Sequence, residues 1–261
     1  MTSERASERA FFALSALIFA ASATVTIVWC ASMSAMGGMP MPGGWTMSMT
    51  WMPGRTWPAA GASFLGMWVV MMAAMMLPSL APMLSRYRQA VAHTGAGRPG
   101  WLTAQAALGY FVVWALLGMA VFPLGVGLAA LEMQQPALAR VAPIGVGVVV
   151  LGAGLFQFTA WKTRCLACFR EAPGRGHALT ANAGAAWRHG LRLGLHCSYS
   201  CAGLMAVFLV VEVMDLRAMA AVTAAVTIER LAPAGERFAR AIGVALIAAG
   251  SFLIARAGGL A

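Results

Sequence analysis

Residues 66–84 read GMWVVMMAAMMLPSLAPML, nineteen positions without one charged side chain. A helix needs about 20 mostly apolar residues to cross roughly 30 Å of hydrocarbon. Inside that hydrocarbon only helices and closed barrels satisfy their own backbone groups. Extended to 60–84, the run predicts a membrane-spanning helix. Six further apolar runs flank it, at 10–32, 103–131, 141–161, 191–214, 216–231 and 239–255. The expectation is an all-α polytopic transmembrane bundle of about seven helices, one domain over residues 1–261. The run at 216–231 is short, begins after Asp215 and stops at Glu229-Arg230, so it either crosses with little tilt or re-enters against other helices. The first run resembles a signal peptide in its charged leader, but its apolar part exceeds the 7 to 15 residues of a signal core, and it is read as a retained helix.

Composition agrees. The chain is 61% hydrophobic and 10% charged, against about 45–50% and about 25% in soluble domains. Its net charge of +10 comes from 17 Arg and one Lys against eight carboxylates. Those basic residues lie between apolar runs and form no face of their own, which argues against nucleic acid and for topology determinants and contacts with anionic membrane lipids. With the N-terminus in the cytoplasm and the C-terminus outside, Arg5, Arg9, Arg86, Arg88, Arg98, Lys162, Arg164, Arg170, Arg175, Arg188, Arg192, Arg230, Arg237 and Arg240 fall inside. Only Arg55, Arg140, Arg217 and Arg256 fall outside, so the ratio is fourteen to four. The Ala, Gly and Arg abundance suggests a bacterium with a GC-rich genome, hence a multi-pass protein of the bacterial plasma (inner) membrane.

Sulfur is the strongest anomaly, with 19 Met and five Cys. The outer loop at 33–59 holds Met33, Met36, Met39, Met41, Met47, Met49 and Met52. A thioether is a soft neutral ligand suited to Cu(I) and forms no disulfide in an oxidising compartment. Two readings stand for this loop: metal capture, or packing along the bilayer surface with Trp45, Trp51 and Trp57 as interfacial anchors. The second apolar run adds Met67, Met71, Met72, Met75, Met76 and Met83. At 100° per residue these cover about half the helix surface, so some are expected to be ordinary packing. Met67, Met71 and Met75 recur every fourth residue, and Pro78 and Pro82 are placed to kink the inner end.

The cysteines are more specific. Cys165-Leu-Ala-Cys168 follows the fourth helix on the inner side, and His196-Cys197-Ser-Tyr-Ser-Cys201 opens the fifth, with Cys197 and Cys201 on one helix face. The spacing predicts that the two pairs meet at one cytoplasmic site, with His196 as an added ligand and the loop residues His177 and His189 as weaker ones. The set suits Cu(I), or a structural four-thiolate Zn(II) site. A dithiol–disulfide cycle at Cys165 and Cys168, favoured by Lys162, Arg164 and Arg170, is the alternative, and inert packing is the plainest reading. Cys30 reads as packing. Among carboxylates, Glu212 and Asp215 are placed to receive a cation and Glu229 to pair with Arg230 or Arg237, unless all three are interfacial. No catalytic triad, phosphate-binding glycine loop or metalloprotease motif is present.

The runs MWVVMMAAMMLPSLAPML (67–84), KTRCLACFR (162–170) and HCSYSCAGLMAVFLVVEVMDLRAMAAVTAAVTIERLAP (196–233) together resemble a bacterial family of uncharacterised, predicted metal-binding integral membrane proteins. The likeness covers the second to sixth helices and implies metal handling. The family pattern has Asn at the place of Asp215 and Glu-Lys at the place of Glu229-Arg230; neither departure touches a sulfur. The leading expectation is a membrane protein that handles or imports Cu(I), collected by Met36, Met39 and Met41, passed along Met71, Met72, Met75 and Met76, and received by Cys165, Cys168, Cys197, Cys201 and His196. A metallochaperone or a membrane partner protein is the expected partner, and no enzyme activity is expected. The competing readings are a non-transporting assembly or structural subunit with Zn(II) or no metal, and a thiol oxidoreductase using Cys165 and Cys168.

Overall fold

A computed structural model describes residues 2–35, 39–40, 46–47, 56–95, 97–170, 182–211 and 215–259. Among them the chain forms eight helices: α1 (Thr2–Ala35), α2 (Trp57–Ala92), α3 (Pro99–Gln134), α4 (Pro136–Phe156), α5 (Ala160–Arg170), α6 (Ala183–Val211), α7 (Leu216–Leu231) and α8 (Gly235–Ala257). A two-residue antiparallel ladder, β1 (Met39–Pro40) with β2 (Thr46–Met47), sets Met39 opposite Met47. Five helices, α1, α2, α3, α6 and α8, are long and apolar enough to cross a membrane; α4 with α5 makes a sixth if that bent pair is one span. The expected sixth span, α7, has 16 residues, about 24 Å at 1.5 Å per residue, which is short of a full crossing.

Local sequence sets the boundaries. Pro stands in the first turn of α2, α3 and α4, where its missing N–H costs no helical bond. Asp215 caps α7 by accepting from the Arg217 amide at 2.7 Å, as a short acidic side chain does at a helix start. Pro233 drives Ala232 to extended backbone (φ −70°, ψ 140°) and so ends α7 at Leu231. The continuous fourth helix expected at 141–161 is instead broken between Phe156 and Ala160 and bent by 61°. Thr159 restarts the chain as α5: its hydroxyl accepts from the Lys162 amide at 3.3 Å, an N-cap placed where periodicity alone reads on. The basic inner loop expected at 162–190 is helical at both ends, in α5 and the first turns of α6.

Two glycine seams bring backbones together. Gly147 and Gly154 of α4 lie against Gly250 and Gly243 of α8, where a Cβ on Gly147, Gly154 or Gly250 would fall within 3 Å of the opposite helix and one on Gly243 would meet Phe158 just beyond α4. Gly109 of α3 and Gly190 and Gly194 of α6 do the same for that pair. Small residues let membrane helices approach this closely, gaining dispersion where lipid supplies no hydrophobic drive. Large apolar side chains such as Leu17, Val28, Leu116, Leu124, Val148 and Phe252 point outward, as in a bundle whose solvent is hydrocarbon. The interior gathers on α2, which packs against α1, α3 and α7. Neighbours on three sides bury a wide arc of one helix, and the site depends on this.

Candidate functional site

All six of Met67, Met71, Met72, Met75, Met76 and Met83 on α2 are buried, with Met72 and Met76 wholly enclosed. An arc this wide is buried because α1, α3 and α7 together cover it, and the expectation that some of the set are ordinary packing is compatible with that burial. Met205 of α6 and Met219 of α7 join the same core. Within the row, the Met76 Sδ lies 3.9 Å from the Cys197 Sγ, so thioether and thiol come into contact across α2 and α6.

Cys197 is the hub of a polar cluster that the sequence reading did not assemble. The Tyr110 hydroxyl from α3 is 2.8 Å from its sulfur. The Arg230 guanidinium from α7 donates to that sulfur at 3.0 Å, to the Ser79 hydroxyl of α2 at 3.0 Å and to the Ser200 hydroxyl of α6 at 3.0 Å. Ser200 donates in turn to the Cys197 carbonyl at 2.9 Å, and the Cys201 thiol, one turn on, reaches that carbonyl at 3.0 Å. Cys197, Cys201, Tyr110, Ser79 and Ser200 are all buried to 1% exposure or less. A guanidinium cannot shed its proton, so this is a fixed cation held against a sulfur. The arrangement can accept a soft cation between a polarised sulfur and a neutral thioether.

A second buried constellation adjoins the first. Lys162 and Glu229 form an ion pair at 2.7 Å with both side chains 2% exposed. Gln157 donates to the other Glu229 oxygen at 3.0 Å, and the Lys162 ammonium also donates to the Ser200 carbonyl. Glu229 is thus held by Lys162 and Gln157, where the sequence reading set it against Arg230 or Arg237. Consecutive helical residues point about 100° apart, so Glu229 faces the α4–α5 break while Arg230 faces α2 and α6. Ser200 joins the two clusters, its carbonyl to Lys162 and its hydroxyl to Arg230.

The remaining predicted ligands divide. Cys165 is buried on α5, which packs against α6; the side chain of Cys168 lies outside the described residues. Among the described residues no three His, Cys, Asp or Glu side chains converge to hold a metal ion, so the four-thiolate set is not assembled by them. His196 is exposed, its Nδ1 2.7 Å from the Arg192 carbonyl, because the residue beside an inward-facing Cys197 turns out of the bundle. His189 stacks on Tyr87 with centroids 4.5 Å apart. Met39 lies on β1, and Met36, Met41, Met49, Met52, His177 and Glu212 lie outside the described residues. Cys30 is buried in the same core as the α2 methionines.

Tyr110, Gln157, Ser79 and Ser200 were missed, and Arg230 and Lys162 were given other partners. The available signal was Glu229-Arg230 at the end of an apolar run, where a charged residue at membrane depth normally has a partner. Comparison with known proteins bears on the same segments. A protein-family model described as PpoB2, copper chaperone, matches residues 65–253, which spans α2 to α8 and every residue of both clusters. No curated protein and no solved structure matches the chain.

Proposed function

This chain belongs to the PpoB2 copper chaperone family, and from that premise we propose that it is a multi-pass inner-membrane protein that takes Cu(I) as cargo at the Met76–Cys197 sulfur site. The carrying observation is the 3.9 Å approach of Met76 Sδ to Cys197 Sγ within a buried methionine row. Copper(I) prefers two or three soft ligands, and thioethers discriminate against Zn(II) and harder ions. The orientation that best fits the charge distribution puts the N-terminus inside. Cu(I) then moves inward from the Met-rich segment at 33–52, past Met67, Met71, Met72 and Met75, to Cys197 and Cys201, and on to Cys165 and Cys168. Weak thioether sites feeding stronger thiolate sites give a downhill gradient, which the absence of a nucleotide-binding motif makes the natural driving force.

Cys197 lies five residues from the exposed Arg192, about 7.5 Å along the helix axis, so the receiving site sits just within the inner face of the proposed bilayer. Tyr110, Ser79 and Ser200 orient the guanidinium and sulfur and keep the site compact. The test is anaerobic Cu(I) loading of purified protein with elemental analysis. The parent is expected to hold copper, Cys197→Ser to lose it, and Met76→Leu to bind more weakly. Copper retained undiminished in Cys197→Ser sinks the assignment. A deletion strain whose cytosolic copper does not fall sinks the import direction alone.

A further inference from the structure

The most unusual feature of the sulfur site is that a permanent cation is built into it. Cation-binding sites ordinarily gather negative charge, yet here the Arg230 guanidinium touches the principal sulfur at 3.0 Å and is held by Ser79 and Ser200. Its side chain is enclosed, 4% exposed. The neighbouring Lys162–Glu229 pair is neutral as a unit.

We propose that Arg230 is a charge filter that makes the Cys197–Cys201 site selective for monovalent soft cations over divalent ones of similar softness. The inference rests on the reading that metal binds at Cys197. The guanidinium is a fixed positive charge beside the sulfur, and its repulsion of a bound ion rises in proportion to the ion's charge. In a buried, low-dielectric place a divalent ion is therefore penalised about twice as much as a monovalent one. The differential holds whatever else contacts the guanidinium, because those contacts are the same for every ion while repulsion from Arg230 grows with the ion's charge. No electron moves on binding: the ion keeps its oxidation state, two metal–sulfur bonds form, and the thiol protons pass to solvent. The filter therefore works by charge count where thioether softness alone does not separate Ag(I) from Cd(II).

Those two ions make the test, since both are redox-inert, soft and closed-shell and differ in charge. Purified full-length protein in detergent is titrated with each, alone and in competition, and occupancy is read by elemental analysis and thiolate-to-metal absorption. The parent is expected to prefer Ag(I), Arg230→Lys to keep that preference, and Arg230→Gln to shift the Ag(I)/Cd(II) ratio toward Cd(II) by about a hundredfold, the scale expected from one unit charge a few ångströms away. Met76→Cys supplies a second arm in a protein that keeps Arg230. A third thiolate beside Cys197 is expected to restore Cd(II) binding, so a misfolded Arg230→Gln does not stall the question. A folded Arg230→Gln with an unmoved ratio, a Met76→Cys that still rejects Cd(II), or a parent that prefers Cd(II) overturns the filter. A parent that binds neither ion overturns the copper reading itself, which separates the two failures.

Discussion

Replacing Glu229 by Leu isolates the energetic role of the second buried cluster. The substitution removes the carboxylate that accepts from Lys162 at 2.7 Å and from Gln157 at 3.0 Å, and it leaves a buried ammonium. Breaking one partner of a buried pair costs about 3–5 kcal/mol, because the remaining charge has neither water nor counter-ion. For a chain of this size each kcal/mol moves the melting point by roughly 2–4 °C, so a drop of about 10 °C is expected. The buried thiols Cys197 and Cys201 supply the assay: a thiol-reactive fluorophore reports their exposure during a thermal ramp in detergent. Pairing the change with Lys162→Met removes both charges together, which is expected to recover most of the loss, as apolar replacement of buried pairs does. If Glu229→Leu alone melts within about 2 °C of the parent, or the double variant melts no higher than the single ones, the pair does not hold α7 to the α4–α5 break as reasoned.

Gly190→Ala places a Cβ onto the Ala106 carbonyl of α3. Overpacking of this kind costs about 1–3 kcal/mol and spreads the helices that carry Tyr110 and Cys197, so both thermal stability and Ag(I) affinity are expected to fall. Gly184→Ala, whose nearest neighbour is an Asn182 atom at 3.6 Å, is expected to leave both unchanged in the same two measurements. His196→Ala is expected to alter Cu(I) affinity less than threefold by competition titration, since its ring is exposed and turned toward Arg192; a loss matching that of Cys197→Ser would make it a ligand. Single cysteines placed at position 50 and position 176 in a chain lacking its own are expected to react with an impermeant maleimide outside and inside the cell respectively. The reverse pattern would refute the proposed orientation.

How much of this was legible depended on whether a residue's role is set by its neighbours in sequence or by its neighbours in space. Period and length sufficed for the spans at 60–84 and 103–131, because twenty apolar residues have one solution in hydrocarbon. The break after Phe156 was not visible, since Thr159 is apolar enough in context to continue the run and its capping role appears only with the Lys162 amide above it. The methionines of α2 were legible as an anomaly and not as a buried row, because burial over so wide an arc needs α1, α3 and α7, which no local pattern announces. Cys197 and Cys201 were legible as a same-face pair by spacing alone. Their partners were not: Arg230 and Lys162 both entered the count of inner charges, and a count cannot distinguish a headgroup contact from a cation drawn into the bundle by Cys197 or Glu229. Removing those two from the tally leaves twelve basic residues inside against four outside, so the proposed orientation survives their reassignment. The same subtraction explains why they were hidden, since a bias that strong is satisfied without them, and only a buried counterpart at 3.0 Å or less reveals that they serve the site.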